Sequence, residues 1–245
     1  MPDRTRNATD DPTAAADAVT EQRRAADATR QSLIEAALDR FGARGFEAAS
    51  TREIANGAGS NIGSIAYHFG GKDGLRRAAA EYVVDIIRSV ARAALGDFGL
   101  DAAAPPMPPE EARRHLDEGI GRMVRFVLVQ PQARLIVRFM LREIANPSVA
   151  LDIIYAGVVE PTHGRICRLW AAATGDDPQA ERVRLSVFAF IGQVFYFRIG
   201  QEIVLRRMGW KAYGPAEADA IAGIVVRNLH ACLDAEIAAN RAGRA

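Results

Sequence analysis

Cysteine is nearly absent from this chain: its 245 residues hold two, Cys167 and Cys232, far apart and outside any CxxC arrangement. That excludes a disulfide framework, and it fits a reducing compartment. An excess of one charge is missing as well. Lys and Arg number 31 against 30 Asp and Glu, a formal net charge of +1, so affinity for nucleic acid would have to come from a local patch. Long hydrophobic runs are lacking. The most apolar stretch, Leu185 to Phe197, is interrupted by Ser186 and Gln193 and bracketed by Arg184 and Arg198; it falls short of the roughly 20 residues of a membrane span. The polar N-terminus has no apolar signal segment, so a cytoplasmic protein with no membrane partner is expected. Catalytic signatures are missing too. There is no nucleophile elbow and no His/Asp/Ser set in a recognisable context, and Gly70-Gly71-Lys72 is too short for a Walker loop. No enzyme, cofactor or bound metal is expected. What remains is an ordinary globular composition, 49% apolar and 25% charged.

The informative stretch is Ser50 to Lys72, STREIANGAGSNIGSIAYHFGGK. Ser50 followed three residues later by Glu53 reads as a capping box that starts a helix near Thr51. Ile54, Ala55 and Ala58 lie inward at helical spacing, and Gly57 and Gly59 suit the turn that ends it. Ser60 or Asn61 can cap a second helix of about two turns, whose Ile65 and Phe69 pack on the first while Gly63 lets the two axes approach. Two short helices over a glycine turn make a helix-turn-helix. The outward face of the second carries Asn61, Ile62, Ser64, Tyr67 and His68. An amide pairs with adenine, a hydroxyl meets a base edge or a phosphate, and an aliphatic tip rests on a thymine methyl. Lys72 opens the next helix, where its charge and the free N–H groups of the helix start suit phosphate. Between Thr29 and Arg77, seven basic residues (Arg30, Arg40, Arg44, Arg52, Lys72, Arg76, Arg77) face five acids, a modest positive patch.

Ala58-Gly59, Gly63, Ile65, Tyr67-His68-Phe69 and Lys72-Asp73-Gly74-Leu75 resemble the DNA-binding domain of TetR-type transcriptional regulators, and NIGSIAYHFGGKDGL looks most like the CerR subgroup. The resemblance extends upstream through Thr29 to Phe46. It departs from the wider family at Ser60, where valine is common, and at Ala66, where tyrosine is common, which shifts the backbone grip onto Tyr67 and His68. In the second half, LREIANPS, the Tyr155–Pro161 region and IGQVFYFRIGQEIVLRRMGWKAYGPAEADAIAGI resemble the same subgroup's regulatory domain.

In chain order, residues 1–28 alternate small and charged residues and read as a disordered tail. Leu33, Ile34, Ala37, Leu38 and Phe41 share one face of a helix from Thr29 to Arg44, so the DNA-binding domain is expected over 29–76. A long helix from Lys72 to about Leu95 then bridges to a helical ligand-binding and dimerisation domain over 77–245. The proline-rich segment Gly96 to Pro109 cannot persist as helix. Helices are expected beyond it from Glu110 to Val129, Pro131 to Ala145, Ser148 to Ala173, Pro178 to about Met208 and Pro215 to about Ala239. The fold class is therefore all-α, a three-helix DNA-binding domain followed by a helical bundle.

These patterns imply a one-component regulator, a repressor in expectation, that binds a double-stranded, palindromic DNA operator as a homodimer and is released by a small-molecule effector; the alternative is a helical effector-sensing or scaffold dimer without operator binding. Asn61, Ile62 and Ser64 are assigned to bases, and Thr51, Tyr67, His68 and Lys72 to phosphates. Val187, Phe188, Ile191, Val194, Phe195 and Ile199, with Ile221, Ile224, Val225, Leu229 and Leu233, are more apolar surface than one small bundle needs and suggest a four-helix dimer interface. Arg138, Arg142, Tyr155, Gln193 and Tyr196 are the candidate lining of an effector pocket, with the paired arginines suited to an anion. Glu160, His163 and Cys167 share one helix face as metal ligands do, but the second Glu-x-x-His of a di-iron bundle is missing.

Overall fold

A computed structural model describes residues 12–95 and 107–242. Among these, all regular structure is helical. Helix α1 runs Pro12–Arg44, far longer than expected. Residues 12–28, which read from sequence as tail, extend the helix because seven of them are alanines, the best helix former, and because elongating a formed helix costs far less than starting one. Pro12 sits where its missing N–H has no partner to lose. Exposed Arg23 and Arg24 bury nothing, so propensity rather than packing makes this extension. The rest of the tail, residues 1–11, lies outside the described residues, as does most of the proline-rich segment.

Helices α2 (Thr51–Gly57) and α3 (Gly63–Phe69) come next, and then α4 (Lys72–Leu95). Leu33, Ile34, Leu38 and Phe41 of α1 meet Ile54 and Ala55 of α2, Ile65 of α3 and Leu75, Ala79 and Val83 of α4. This core does not stop at the third helix. It continues through Ile136 and Phe139 of α6 (Pro131–Ala145) and Ala150 and Ile154 of α7 (Val149–Ile154). At the closest approach, a Cβ on Gly42 would lie 3.1 Å from Arg138 Cβ and 3.2 Å from the Phe139 nitrogen. The helices of the helix-turn-helix and α6 are thus one packed body.

A second core surrounds Trp170, built from α5 (Pro109–Val129), α8 (Glu160–Thr174), α9 (Glu181–Ile199) and α11 (Pro215–Ala242). Two expected helices are interrupted. Ser148 to Ala173 contains a π-helical turn at Tyr155–Val159, where Gly157 presses on α4: an added Cβ would sit 2.7 Å from a Val84 methyl, and Arg88 Nε donates to the Gly157 carbonyl at 2.8 Å. Pro178 to Met208 begins later, at Glu181, and breaks at Gly200, beyond which α10 (Gln201–Met208) departs at 74°. Glycine, with no side chain to hold a helical backbone, is where the path turns. After α10, the chain turns through Gly209, and buried Tyr213 donates its hydroxyl to the Phe197 carbonyl at 2.8 Å. Among the described residues no single helix is long and apolar enough to cross a membrane.

Candidate nucleic-acid interface and effector cavity

Ser50 caps α2, its hydroxyl accepting the Arg52 N–H at 3.2 Å. The expected capping box is only half made. The Glu53 carboxylate turns to Arg44 at 2.8 Å, because a guanidinium at the end of α1 is a stronger partner than a backbone amide. Gly59 supplies the left-handed turn, φ 64°. Asn61 then caps α3: its side-chain oxygen accepts the Ser64 N–H at 3.0 Å and the Ser64 hydroxyl at 3.3 Å, while Ser60 donates to Ser64 Oγ at 2.9 Å. The role expected for Gly63 is corrected here. A Cβ on it would meet Asn61 Oδ1 at 3.1 Å and nothing of α2, so this glycine makes room for the cap rather than for the neighbouring axis.

These bonds sort the predicted DNA-contacting residues. Asn61 Oδ1 and the Ser64 hydroxyl are held within the turn, which leaves the Asn61 amide nitrogen outside these bonds. Ile62 is 53% exposed and Tyr67 83% exposed. His68 is half-buried, edge-on to Tyr67 at 4.9 Å. Thr51 is half-buried at the first position of α2. Lys72 points back onto the connection before α2, its Nζ donating to the Glu47 carbonyl at 3.2 Å and lying 4.5 Å over the Phe46 ring.

Arg76 stacks over the same ring at 4.4 Å. It also donates twice to buried Glu143 of α6, at 2.9 and 2.8 Å, and Ser148 completes the carboxylate at 2.6 Å. From sequence alone, Arg76 is one charge in the patch and Glu143 one polar residue among several. Their 67-residue separation carries no local signal; a buried acid amid apolar helix positions is the available hint.

A cavity of about 460 Å³ opens among α4, α5, α6, the π turn, α8 and α9, with Ile87, Met123, Met140, Val159, Trp170 and Phe195 in its wall. None of Arg138, Arg142, Tyr155, Gln193 and Tyr196 lines it. Arg142 donates to the Gly42 and Ala43 carbonyls at 3.3 and 3.2 Å, satisfying acceptors at the end of α1, and Arg138 lies 3.7 Å from Asp39. Both arginines serve the junction with the DNA-binding helices. Tyr155 is 53% exposed. Gln193 accepts from Asn228 at 3.2 Å and, with Tyr196, edges a small separate hollow between α9 and α11.

The metal-like set also dissolves into local bonds. His163 Nε2 is 3.1 Å from the Arg184 carbonyl, to which it can only donate, and Nδ1 is 3.6 Å from Cys167 Sγ. Burial pushes the Cys167 thiol above its ordinary range, so it stays protonated and donates to Nδ1. Glu160 is exposed. Among the described residues no group of three or more His, Cys, Asp or Glu is placed to hold a metal.

Of the apolar residues expected at a dimer interface, Val187, Val194, Ile221, Val225, Leu229 and Leu233 are buried in the chain's own second core. The exposed ones are Phe188, Ile199 and Ile224, joined by Leu185, Tyr196 and Ile203. Leu185, Phe188, Gly192, Tyr196 and Ile199 recur every three or four residues, so they form one stripe along α9.

Residues 33–79 match the model of the bacterial regulatory proteins of the tetR family, and residues 112–236 match that of the C-terminal domain of the HTH-type transcriptional dual regulator CecR. The chain is 35% identical over 192 residues to the CecR regulator of Shigella flexneri, covering 78% of this chain and 85% of that one. It is 44% identical over 73 residues to the regulatory protein RaaS of Mycobacterium tuberculosis, covering 29% and 34%. Among solved structures, a TetR-like regulator from Rhodococcus sp. RHA1 superposes with a TM-score of 0.53 at 18% identity, covering 82% of this chain and 96% of that one. A regulator from Aquifex aeolicus gives 0.52 at 13% identity, with 83% and 99% covered. The subgroup named CerR on sequence carries the name CecR in these comparisons. The chain belongs to the TetR family of bacterial transcriptional regulators, with a regulatory half of the CecR type, and is a regulator of transcription rather than an enzyme.

Proposed function

We propose that two copies of this chain pair through the α9 stripe and the exposed face of α11, bind a palindromic operator with their α3 helices, and repress until a small molecule enters the 460 Å³ cavity. Ile62 and the Asn61 amide nitrogen face bases, with Ser64 holding Asn61 in place; Thr51, Tyr67, His68 and Lys72 face phosphates. Lys72 leaves the Glu47 carbonyl for a phosphate when DNA arrives, because a charge-assisted bond to an anion outweighs one to a neutral oxygen. Pairing is favoured by small residues beside the bulky ones: Gly192 on α9 and Gly223 on α11 have open space above them, which lets a second helix approach.

The observation that carries the effector part is that α6 serves both ends. Its Met140, Leu141 and Ile144 line the cavity, while Arg142 and Glu143 hold the end of α1 and the start of α4. A ligand that displaces α6 moves the DNA-binding helices with it, and a coupling of about 1–3 kcal/mol is enough to change operator affinity 5- to 150-fold. The test is selection of bound sequences from random duplexes, followed by footprinting and size measurement of the complex. The expected result is a two-fold symmetric site with half-sites about 34–36 Å apart, covered by two chains. Recovery of no sequence above background would refute operator binding.

A further inference from the structure

The chemistry of the cavity wall narrows what can occupy it. Native interiors are close-packed and hold few voids larger than a water, so a space of about 460 Å³ is far beyond a packing fault and falls in the range that takes a drug-sized molecule. Its side chains are aliphatic, aromatic or thioether except at Thr162 and His163. His163 presents no free nitrogen: Nε2–H is committed to the Arg184 carbonyl, Nδ1 to Cys167, and the ring is stacked on Phe188 at 4.0 Å between centroids. Two hydrogen-bonding side-chain groups remain in the wall, the Trp170 indole N–H and the Thr162 hydroxyl, and of these the hydroxyl alone can both donate and accept. The π turn is what brings it there. The extra residue in the helix at Tyr155–Val159 shifts the phase of the next turns, so that Val158, Val159, Thr162 and His163 all reach the wall, and such turns recur at functional sites.

We infer that the cavity takes an uncharged, lipophilic molecule with a single hydrogen-bonding group, seated with that group on Thr162. This names the ligand class for the effector reading above and rests on it. A carboxylate or an ammonium seated on Thr162 would be an unpaired charge among apolar groups, which is prohibitive. The arginines that would suit an anion are bound to α1 carbonyls and to Asp39, on the junction with the DNA-binding helices.

The test uses the full chain carrying Trp210→Phe, so that Trp170 in the wall is the sole tryptophan, titrated with decanol, decanoate and decyltrimethylammonium. These probes share a chain and differ in charge. Decanol is expected to perturb Trp170 emission and to bind more than about ten-fold tighter than either ion. Thr162→Val, which keeps the side-chain shape, should weaken decanol about five-fold, and Ala91→Phe, which fills the cavity, should abolish its binding. Equal or tighter binding of an ion would overturn the inference, as would decanol binding untouched by both substitutions, or no binding by any of the three. Operator binding without probe is measured alongside. If decanol binds Trp170's cavity yet leaves DNA bound, the release mechanism fails and the ligand class stands.

Discussion

Replacing Glu143 should loosen the regulator at the joint between its two ends. The carboxylate is 2% exposed, accepts two bonds from Arg76 at 2.9 and 2.8 Å and one from Ser148 at 2.6 Å, and Arg76 itself has only 14% of its side chain exposed. Removing one partner of such a pair leaves the other charge buried without compensation, which costs about 3–5 kcal/mol. Here the stacking of Arg76 on Phe46 at 4.4 Å keeps part of its environment favourable, so Glu143→Ala is expected at the lower end, about 3 kcal/mol. For a chain of this length, that lowers Tm by about 6–12 °C, measured at one fixed protein concentration so that any association of chains is held constant. The sharper measurement is a double-mutant cycle with Arg76→Ala. Direct contact predicts that the double variant loses much less than the two singles together, with a coupling of about 2 kcal/mol. Additive losses would refute the argument that these side chains act as one tie between α4 and α6. Retained stability in Glu143→Ala would refute it equally.

Other consequences attach to single residues. Lys72→Ala should weaken binding to all duplexes alike and flatten the slope of log affinity against log salt by about 0.9 per protomer, or nearly two per dimer; a slope unchanged from the parent would remove Lys72 from the phosphate contacts. Gly74→Ala would place a Cβ 1.8 Å from the Phe69 carbonyl oxygen. That displaces α3 from α4, so operator binding should be lost while the Trp170 core keeps its fluorescence. Asp176 is desolvated by burial, which raises its pKa, but hydrogen bonds from Asn240, Thr174 and Arg182 outweigh this and hold it below its ordinary value of 3.8. Its contribution is therefore present above pH 3.8 and fades as the pH falls through the lower folded value. Asp176→Asn should flatten the acid limb of a stability–pH curve, and an unaltered limb would contradict the assignment. Gly157→Ala, which would push a methyl to 2.7 Å from Val84, should destabilise by about 1–3 kcal/mol in denaturant titrations.

The helix-turn-helix and most helix boundaries are legible in the chain itself, because both rest on short-range order. Periodic apolar residues, glycines at turns and prolines at helix starts act within a few positions, and Ser50, Gly59 and Pro131 stand where those rules put them. The same locality explains the misreadings. Residues 12–28 are helical through propensity and continuation, with no apolar face to announce it. The π turn at Tyr155–Val159 answers to a neighbour distant in the chain, Val84. Charge is the least legible property of all. Arg138 and Arg142, one turn apart, resemble an anion site, yet which side of α6 faces the void is set by how α1, α4 and α5 pack around it. Sequence specified what kind of regulator this is through local patterns of residues. Only the assembled helices decided that its cavity is apolar and that Arg76 meets Glu143, since both depend on contacts between segments that the order of residues does not bring together.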